Sequence, residues 1–461
     1  MWPERMTDII LTVGAEVLIV LAFLHMLSTR RAPSSMIAWT LAIFLVPYFA
    51  VPFYFLFGQH KLFKRYQKLR FTLMPIGEIG SACRHPSEKL LCANAIPPAS
   101  SENSFVLIDS PLLAYREMEE AIVNAESSID LCIYKLELDE VTETLSKLLE
   151  KRAQEGVKVR LLLDSIGSAN LYLFQKQLSS IRAAGVQIAF FMPFLSFPVR
   201  NFINLRNHRK IFIFDNHLVM TGGMNLSKEY LSPVSNETRY DDILCKIEGT
   251  ATHFFSQIFE MDWSFATHSE PRLFPPSART TKGTVSLQVA PSGPDTPSDG
   301  VIEALLGAIC NAKERIWIFT PYFVPNEQFV RALAIAVHRG VDVKIVVPEH
   351  SDHLISDLGR GSYLRELHAK GADVRLFRGG ILHAKAIVFD HDCALVGSIN
   401  FDNRSLFYNF EASTFIYSPA ECESIATWGM AKLDATVPFD PTYKPFQIRI
   451  ENMMRMLAPL V

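Results

Sequence analysis

The sequence predicts an α/β protein in which two tandem α/β/α sandwich repeats follow an N-terminal two-helix transmembrane hairpin. Three observations carry this. Two long apolar runs fill most of the first sixty residues. The remainder of the chain repeats itself. Within each copy, short apolar strand patterns alternate with helical ones, the pattern of a layered α/β domain. At 461 residues the chain is long enough for two or three domains.

Composition narrows the function classes. Hydrophobic residues make up 49% and charged residues 20%, too apolar for a disordered chain. A net charge of −3 gives no global basic field of the kind nucleic-acid binders carry. Seven cysteines are scattered from Cys83 to Cys422 with no CxxC pair. That argues against a disulfide framework or a cysteine zinc site, and suits a reducing compartment.

The hairpin comes first. Ile9–Leu27 is apolar apart from Glu16 and His25, and Met36–Phe57 holds no charged residue. Such runs make helices about 28 and 33 Å long, close to the ~30 Å hydrocarbon core. Arg30, Arg31 and Pro33 form a short connection between them. The opening MWPERMTD lacks a basic n-region, and no A-x-A site follows, so a cleaved signal peptide fits less well. Glu16 would cost about 2.5–3.5 kcal/mol at bilayer depth and either faces the partner helix or is tolerated. Lys61, Lys64, Arg65, Lys68 and Arg70 follow the second run without an acid. The positive-inside tendency therefore puts the long C-terminal part in the cytoplasm. The boundaries read as an anchor over 1–65, a linker over 66–104, and repeats over 105–283 and 284–461.

The repeat shows in four aligned runs. Ile129–Asp139 matches Ile316–Asn326, Gly156–Ser165 matches Gly340–Glu349, and Ala183–Phe191 matches Ala369–Phe377. The fourth pair, His208–Asn225 with His383–Asn400, holds one offset throughout. Helical patterns over Val141–Glu155 and Asn326–Arg339 each stop at a Gly-Val that starts a strand. The first copy carries extra residues in Phe191–Phe202, rich in aromatics and proline. These read either as an apolar lip for lipid or as a buried loop packed on the other half.

Both copies carry H-x-K-x4-D followed by G-x-x-N. On a strand, His208, Lys210, Phe212 and Phe214 share one face, as do His383, Lys385, Ile387 and Phe389. Each motif thus aims an imidazole and an ammonium at one spot. Asp215 and Asp390 fall on the opposite face at polar turns, which suggests a structural or orienting role. A lone motif of this form arises roughly once in ten thousand positions. Two copies at one offset point to shared chemistry, and a phosphodiester suits it. One neutral imidazole can attack phosphorus. The other, protonated, can supply the leaving alkoxide. Two lysines and the asparagines Asn225 and Asn400 can hold the non-bridging oxygens. Zinc fits poorly, because lysine is not an ordinary ligand and no H-x-x-x-H or cysteine pair is present.

These repeats resemble the HKD motifs of the phospholipase D superfamily, over roughly Phe105 to Val461. Pro47–Gly58, Asn204–Lys210, Thr320–Glu327 and Asn403–Glu411 are similar to the bacterial cardiolipin synthases of the two-helix type. The resemblance implies phospholipase D-like sandwich domains and a catalytic set of His208, Lys210, Asp215, His383, Lys385 and Asp390. It implies phosphate contacts from Asn225, Asn400 and Ser398. Gly223 stands where the second motif has Ser398, so any serine contribution is asymmetric. Glu411 matches the family acid that orients a histidine. Asp242 looks like its counterpart, with Asp241 the alternative.

The implied reaction is phosphatidyl transfer between two phosphatidylglycerols, giving cardiolipin and glycerol without metal, nucleotide or other cofactor. His208 would be the nucleophile and His383 the general acid and then base; the reverse is the alternative. The implied partners are phosphatidylglycerol, cardiolipin and the bilayer of the bacterial inner membrane, not nucleic acid. A homo-oligomer stays open. The rivals are a hydrolytic phospholipase D and a non-catalytic membrane scaffold. The C-terminal Phe446–Val461 has helical spacing at Ile450, Met453, Met454 and Leu457, which suits packing on the second repeat or an interfacial helix.

Overall fold

The computed structural model describes residues 2–28, 33–57, 72–75, 85–196, 204–234, 239–272, 283–442, 449, 451 and 453–454. Helix α1 (Trp2–Ser28) packs against a helical segment made of α2 (Pro33–Leu45) and α3 (Pro47–Phe57). The sequence predicts one helix over 36–57. Pro47 has no N–H to give and interrupts it after Val46. Helical bonding resumes at once, with Ala50 N donating to Val46 O at 2.8 Å. Polarity here is reversed from a soluble hairpin. Val17, Leu21, Leu24, Phe44 and Phe49 are exposed, while His25 Nδ1 meets Tyr54 Oη at 2.8 Å beside buried Ala22 and Met26. Glu16 is exposed rather than turned onto the partner helix. Among the described residues, no single helix is long and apolar enough to cross a membrane. Arg30, Arg31 and the basic run over 60–70 lie outside the described residues.

Part of the predicted linker folds onto the second repeat. Helix α4 (Pro86–Ala93) opens with Pro86 behind His85, whose Nδ1 accepts from Ser87 N at 3.2 Å. Leu91 joins the second repeat's core, and Ser100 bridges Leu287.

The first repeat runs β1 (Asn103–Ile108), α5 (Pro111–Asn124), β2 (Ser128–Ile133), α6 (Thr142–Gln154), β3 (Lys158–Asp164), α7 (Ala169–Leu173), α8 (Ser179–Ala183), β4 (Gln187–Phe191), β5 (Ile211–Phe214), β6 (Leu218–Gly222), β7 (Leu244–Gly249) and α9 (Ala251–Thr267). Its sheet order is β1-β7-β6-β5-β2-β3-β4. The second repeat runs β8 (Leu287–Ser292), α10 (Gly300–Asn311), β9 (Arg315–Phe319), β10 (Phe323–Val324), α11 (Glu327–His338), β11 (Asp342–Pro348), α12 (Leu354–Ala369), β12 (Asp373–Phe377), β13 (Ala386–Phe389), β14 (Cys393–Gly397), β15 (Phe401–Asp402), α13 (Asn403–Phe407), β16 (Glu411–Ile416), α14 (Pro419–Leu433) and β17 (Thr436–Pro438). Its order, β8-β16-β14-β13-β9-β11-β12-β17, is the first sheet again with one edge strand added.

Local chemistry explains the matching breaks. Gly156 and Gly340 take φ +96° and +87°, a left-handed turn that ends α6 and α11 and releases the chain into β3 and β11. Asn326 caps α11, its side chain accepting from Phe329 N at 3.1 Å, worth about 1 kcal/mol.

Three cores result. Helices α5 and α6 cover the outer face of the first sheet, and α10, α11 and α12 that of the second. The inner faces of both sheets, with α9 and α14 between them, share one central core. Phe191, in the stretch with an apolar lip as one reading, belongs to this core. It is wholly buried, 5.1 Å from the Phe410 ring of the other repeat and 5.3 Å from Phe265. Leu195 is exposed, and residues 197–203 lie outside the described residues. Of the C-terminal stretch only Arg449, Glu451, Met453 and Met454 are described. Glu451 is buried against Gly361 of α12 and pairs with Arg365.

Candidate active site

The two motifs meet where the halves join. The sequence predicts a strand through each whole motif, but β5 and β13 begin only at Ile211 and Ala386. The residues just before them are tied to the opposite repeat instead. His208 N donates to Phe410 O at 2.9 Å, and Phe410 N to Arg206 O at 2.9 Å. His383 N donates to Asp241 O at 2.7 Å, and Asp241 N to Ile381 O at 2.8 Å. Each motif is thus threaded beside the segment that follows β6 or β14 in the other half.

That pairing brings each histidine onto an acid of the other repeat. His208 Nδ1 lies 3.0 Å from both carboxylate oxygens of Glu411. His383 Nδ1 lies 2.7 Å from Asp242 Oδ2. Asp241 turns away and pairs with Lys432 at 2.7 Å. With Nδ1–H given to a carboxylate, each ring leaves Nε2 for chemistry. The lysines close the cluster. Lys210 Nζ donates to His208 O at 2.9 Å and stands 5.2 Å over the Tyr134 ring. Lys385 Nζ lies 2.6 Å from His383 Nδ1 and 3.2 Å from Nε2.

The two dyads differ in a way the sequence hints at. Ser398 Oγ accepts from Ala412 N at 3.0 Å and lies within hydrogen-bonding reach of Glu411. The hydroxyl assigned to phosphate by resemblance is therefore engaged with the orienting acid and its strand. At Gly223 there is no room for such a residue. A Cβ there would stand 2.2 Å from Asp242 Oδ1, because the shorter aspartate fills that space. Glycine goes with aspartate, serine with glutamate.

Burial and charge set the protonation states. Burial pushes His208 down to about 4, with Lys210 adding to it against Glu411. His383 is pushed well below the usual range by burial and then by Lys385 and Lys210. Burial works to raise the Glu411 carboxyl, but His208, Lys210 and Ser398 hold it below the usual range. Asp242 lacks the serine, and burial pushes it up to about 7. One dyad is a neutral imidazole on a firm carboxylate; the other sits at the edge of holding an extra proton on its acid. Burial also lowers Lys210 to about 7 and Lys385 to about 8.

The lysine shifts carry a signed expectation. A bound phosphodiester monoanion favours both ammonium forms, so binding must protonate any lysine that is neutral in the free protein. Affinity should be greatest below pH 7 and fall as pH rises through 7 to 8, by up to about tenfold per unit per lysine. Calorimetry with diethyl phosphate in buffers of different ionisation enthalpy would show proton uptake at pH 8. A flat affinity from pH 6.5 to 9 would mean both lysines stay charged in the empty site.

Asp215 and Asp390 do not join this cluster, and their grouping with the catalytic set is corrected. Each lies at the far end of its four-residue strand, about 13 Å on at 3.3 Å per residue. Both take positive φ, +52° and +46°. Asp215 accepts from the backbone of Glu126, Ser127 and Ser128 at 2.6–2.9 Å, and Asp390 from that of Lys313, Glu314 and Arg315 at 2.8–3.1 Å. They fix the turns that launch β2 and β9. A cavity of about 410 Å³ adjoins Asp215, lined by Glu117, Glu120 and His217. Asn225 reaches the site through a hydrogen bond with Tyr230, which packs on His383. Asn225 Oδ1 accepts from Lys135 N at 3.3 Å, and Asn400 is buried.

Sequence reasoning missed the surrounding side chains. The Tyr134 ring stands 4.9 Å from His208, and Tyr230 Oη lies 3.3 Å from His383 Nε2. Tyr240 and Tyr322 flank His383 at 5.7 and 6.4 Å. Arg209, the unread residue between histidine and lysine, is wholly buried. It donates to Glu411 O at 3.1 Å, Asp262 at 2.7 Å and Asp295 at 2.7 Å. Among the described residues, no group of three or more His, Cys, Asp or Glu is arranged to hold a metal ion.

Comparison with known proteins identifies the family. The family described as "Cardiolipin synthase, PLD-like domain" matches residues 118–263 and 305–429, more than half of the chain. The chain belongs to the phospholipase D-like cardiolipin synthase family. This is a family of phosphatidyltransferases. A second family, "Phospholipase_D-nuclease N-terminal", matches residues 17–59. A cardiolipin synthase of Clostridium perfringens is 32% identical over 94% of this chain and 95% of its own length. The major cardiolipin synthase ClsA of Bacillus subtilis is 32% identical over 96% and 97%. Among solved structures, phosphatidylserine synthase of Haemophilus influenzae aligns with TM-score 0.60 at 16% identity, over 82% of this chain and 99% of that one. That likeness extends the fold alone. The matched family residues span both motif histidines.

Proposed function

We propose that this chain joins two phosphatidylglycerols into cardiolipin and glycerol through a phosphatidyl-histidine at His208. The observation that carries the reading is the crossed pair of histidine–acid dyads, buried with two lysines at the junction of the repeats. The relatives' names supply the lipid.

In the first step His208 Nε2 attacks phosphorus and the bond to the glycerol oxygen breaks. His208 suits the nucleophile because burial keeps it neutral, Glu411 is ionised, and it is the more exposed ring, at 9% against 3% for His383. His383 must give a proton to the departing alkoxide. Its reserve is Asp242, whose carboxyl is raised to about 7. A bound phosphodiester adds negative charge and draws that proton onto the imidazole, so the acid forms when substrate arrives. Lys210 and Lys385 then hold the non-bridging oxygens, with Asn225 and Asn400 beside them. In the second step His383, now neutral, takes the proton from the hydroxyl of another phosphatidylglycerol. That oxygen attacks phosphorus, and the electron pair of the P–N bond returns to His208.

On this reading α1 with α2 and α3 forms a transmembrane hairpin in the bacterial inner membrane, with the catalytic repeats in the cytoplasm. The outward apolar side chains and the inward His25–Tyr54 contact support it, since in lipid the apolar face turns out. The test uses detergent-purified protein, phosphatidylglycerol labelled in both its phosphorus and its headgroup, and a chelator. Equal amounts of cardiolipin and glycerol are expected. Phosphatidic acid with little cardiolipin would make the chain a hydrolase, and no turnover would leave the scaffold reading.

A further inference from the structure

The two repeats part company one turn beyond the motif asparagines. After Asn225, Leu226 bridges Leu136; after Asn400, Phe401 pairs with Phe323 in the same parallel sense. Counting on from these matched positions, Glu229 of the first repeat corresponds to Arg404 of the second. The residues opposite them are Lys135 and Tyr322.

In the first repeat this position is closed. Glu229 pairs with Lys135 at 3.7 Å, and Ser227 also donates to it. In the second it is open. Tyr322 has no charge to offer and gives its hydroxyl to Asp352. Arg404 is half-buried, and among the described residues no carboxylate lies within ion-pair distance of its guanidinium. The nearby Asp402 carboxylate is occupied by the backbone of α13, accepting from Ser405 N at 2.7 Å. Arg404 is close enough to Tyr134 and Arg206 for both to feel its charge, and Tyr134 packs on His208. A half-buried cation beside a second cation, without its own anion, is a vacancy for one.

A second observation sits in the same segment. Asn400 is 5% exposed, and among the described residues its Oδ1 has no hydrogen-bond partner. A carbonyl oxygen cannot contact a phosphate oxygen favourably, but it accepts a hydroxyl hydrogen. One segment thus presents a buried acceptor suited to an alcohol and an unpaired guanidinium suited to an anion.

We propose that Asn400 and Arg404 form an acceptor subsite, Asn400 taking a glycerol hydroxyl and Arg404 the acceptor lipid's own, non-reacting phosphodiester. This rests on the reading of the chain as a phosphatidyltransferase. The lysine pair serves the phosphate that reacts. A lipid alcohol such as phosphatidylglycerol brings a second phosphate, one three-carbon glycerol away, whereas water and simple alcohols bring none. The subsite therefore separates acceptors by charge and favours cardiolipin over hydrolysis. No bond changes at Arg404. The acceptor oxygen bonds to phosphorus, the P–N bond to His208 breaks, and the proton passes to His383.

The test is a competition. The full chain in phosphatidylglycerol micelles with added ethanol makes cardiolipin from the lipid acceptor and phosphatidylethanol from the neutral one. R404Q should lower the ratio of cardiolipin to phosphatidylethanol by roughly tenfold or more, the scale of a lost charge-assisted hydrogen bond. R404K should fall between. E229Q, at the matching position, should leave the ratio where it was. The ratio is read on whatever fraction is folded, so partial misfolding does not obscure it. An unchanged ratio in R404Q, or an equal shift in E229Q, would overturn the subsite. Wild-type protein that makes phosphatidic acid but neither cardiolipin nor phosphatidylethanol would instead overturn the transferase reading beneath it.

Discussion

Replacing His208 with Gln should lower cardiolipin formation by about four orders of magnitude or more and remove any covalent phosphatidyl-enzyme. Replacing His383 with Gln removes the general acid and base but leaves the nucleophile, a loss of about 10²–10⁴. The two variants separate on a substrate that needs no acid, a phosphatidyl ester of p-nitrophenol. With it, the His383 variant should still release a burst of nitrophenol and trap label acid-sensitively on nitrogen, because breakdown of the phosphatidyl-histidine lacks its base. The His208 variant should give no burst. Label trapped in H208Q but not in H383Q would reverse the assignment and make Asp242, not Glu411, the partner of the nucleophile.

Arg209→Met should be the most damaging change outside the histidines. Its guanidinium is wholly buried between Asp262 and Asp295, and Asp295 belongs to the other repeat. Removing it leaves two carboxylates buried and unpaired, a loss of about 3–5 kcal/mol for breaking such a network. It also takes a donor from the Glu411 carbonyl, so the surviving protein should be slow as well as unstable. Chemical denaturation in detergent reads the first effect and single-turnover kinetics the second. Arg378→Ala, which breaks an exposed pair with Glu349, is the control and should leave the denaturation curve in place. If Arg209→Met melts with the wild type, the network does not hold the halves together.

The alternation of strands and helices, the duplication and the paired motifs were legible because each leaves a periodic trace. The sheet orders repeat as the aligned runs predict. The crossing of acids between halves was not legible. Glu411 could be found by resemblance, but nothing in its spacing says that it serves His208 and not the histidine nearer in sequence. The choice between Asp241 and Asp242 needed space as well as pattern, and Gly223 supplies the reason. Asp215 and Asp390 went with the motif by adjacency, although their own strand alternation already turned them away. The apolar stretch from Phe191 left two readings open for a different reason. A buried aromatic at the seam between halves and an exposed one at a lipid lip look alike in composition. Arg404 escaped notice because its meaning lies in the missing partner, visible only when the repeats are superposed.

The exchange of acids across the seam has a consequence for inheritance. A change at Glu411 is felt by His208, and one at Asp242 by His383, so the halves cannot drift apart as separate genes would. Each repeat edits the other's histidine. A single repeat on its own would hold a histidine and an acid that belong to different dyads, so neither dyad forms without the other half. Two defective chains, one damaged in each acid, should therefore share all their lesions at one seam and none in a half that stands alone.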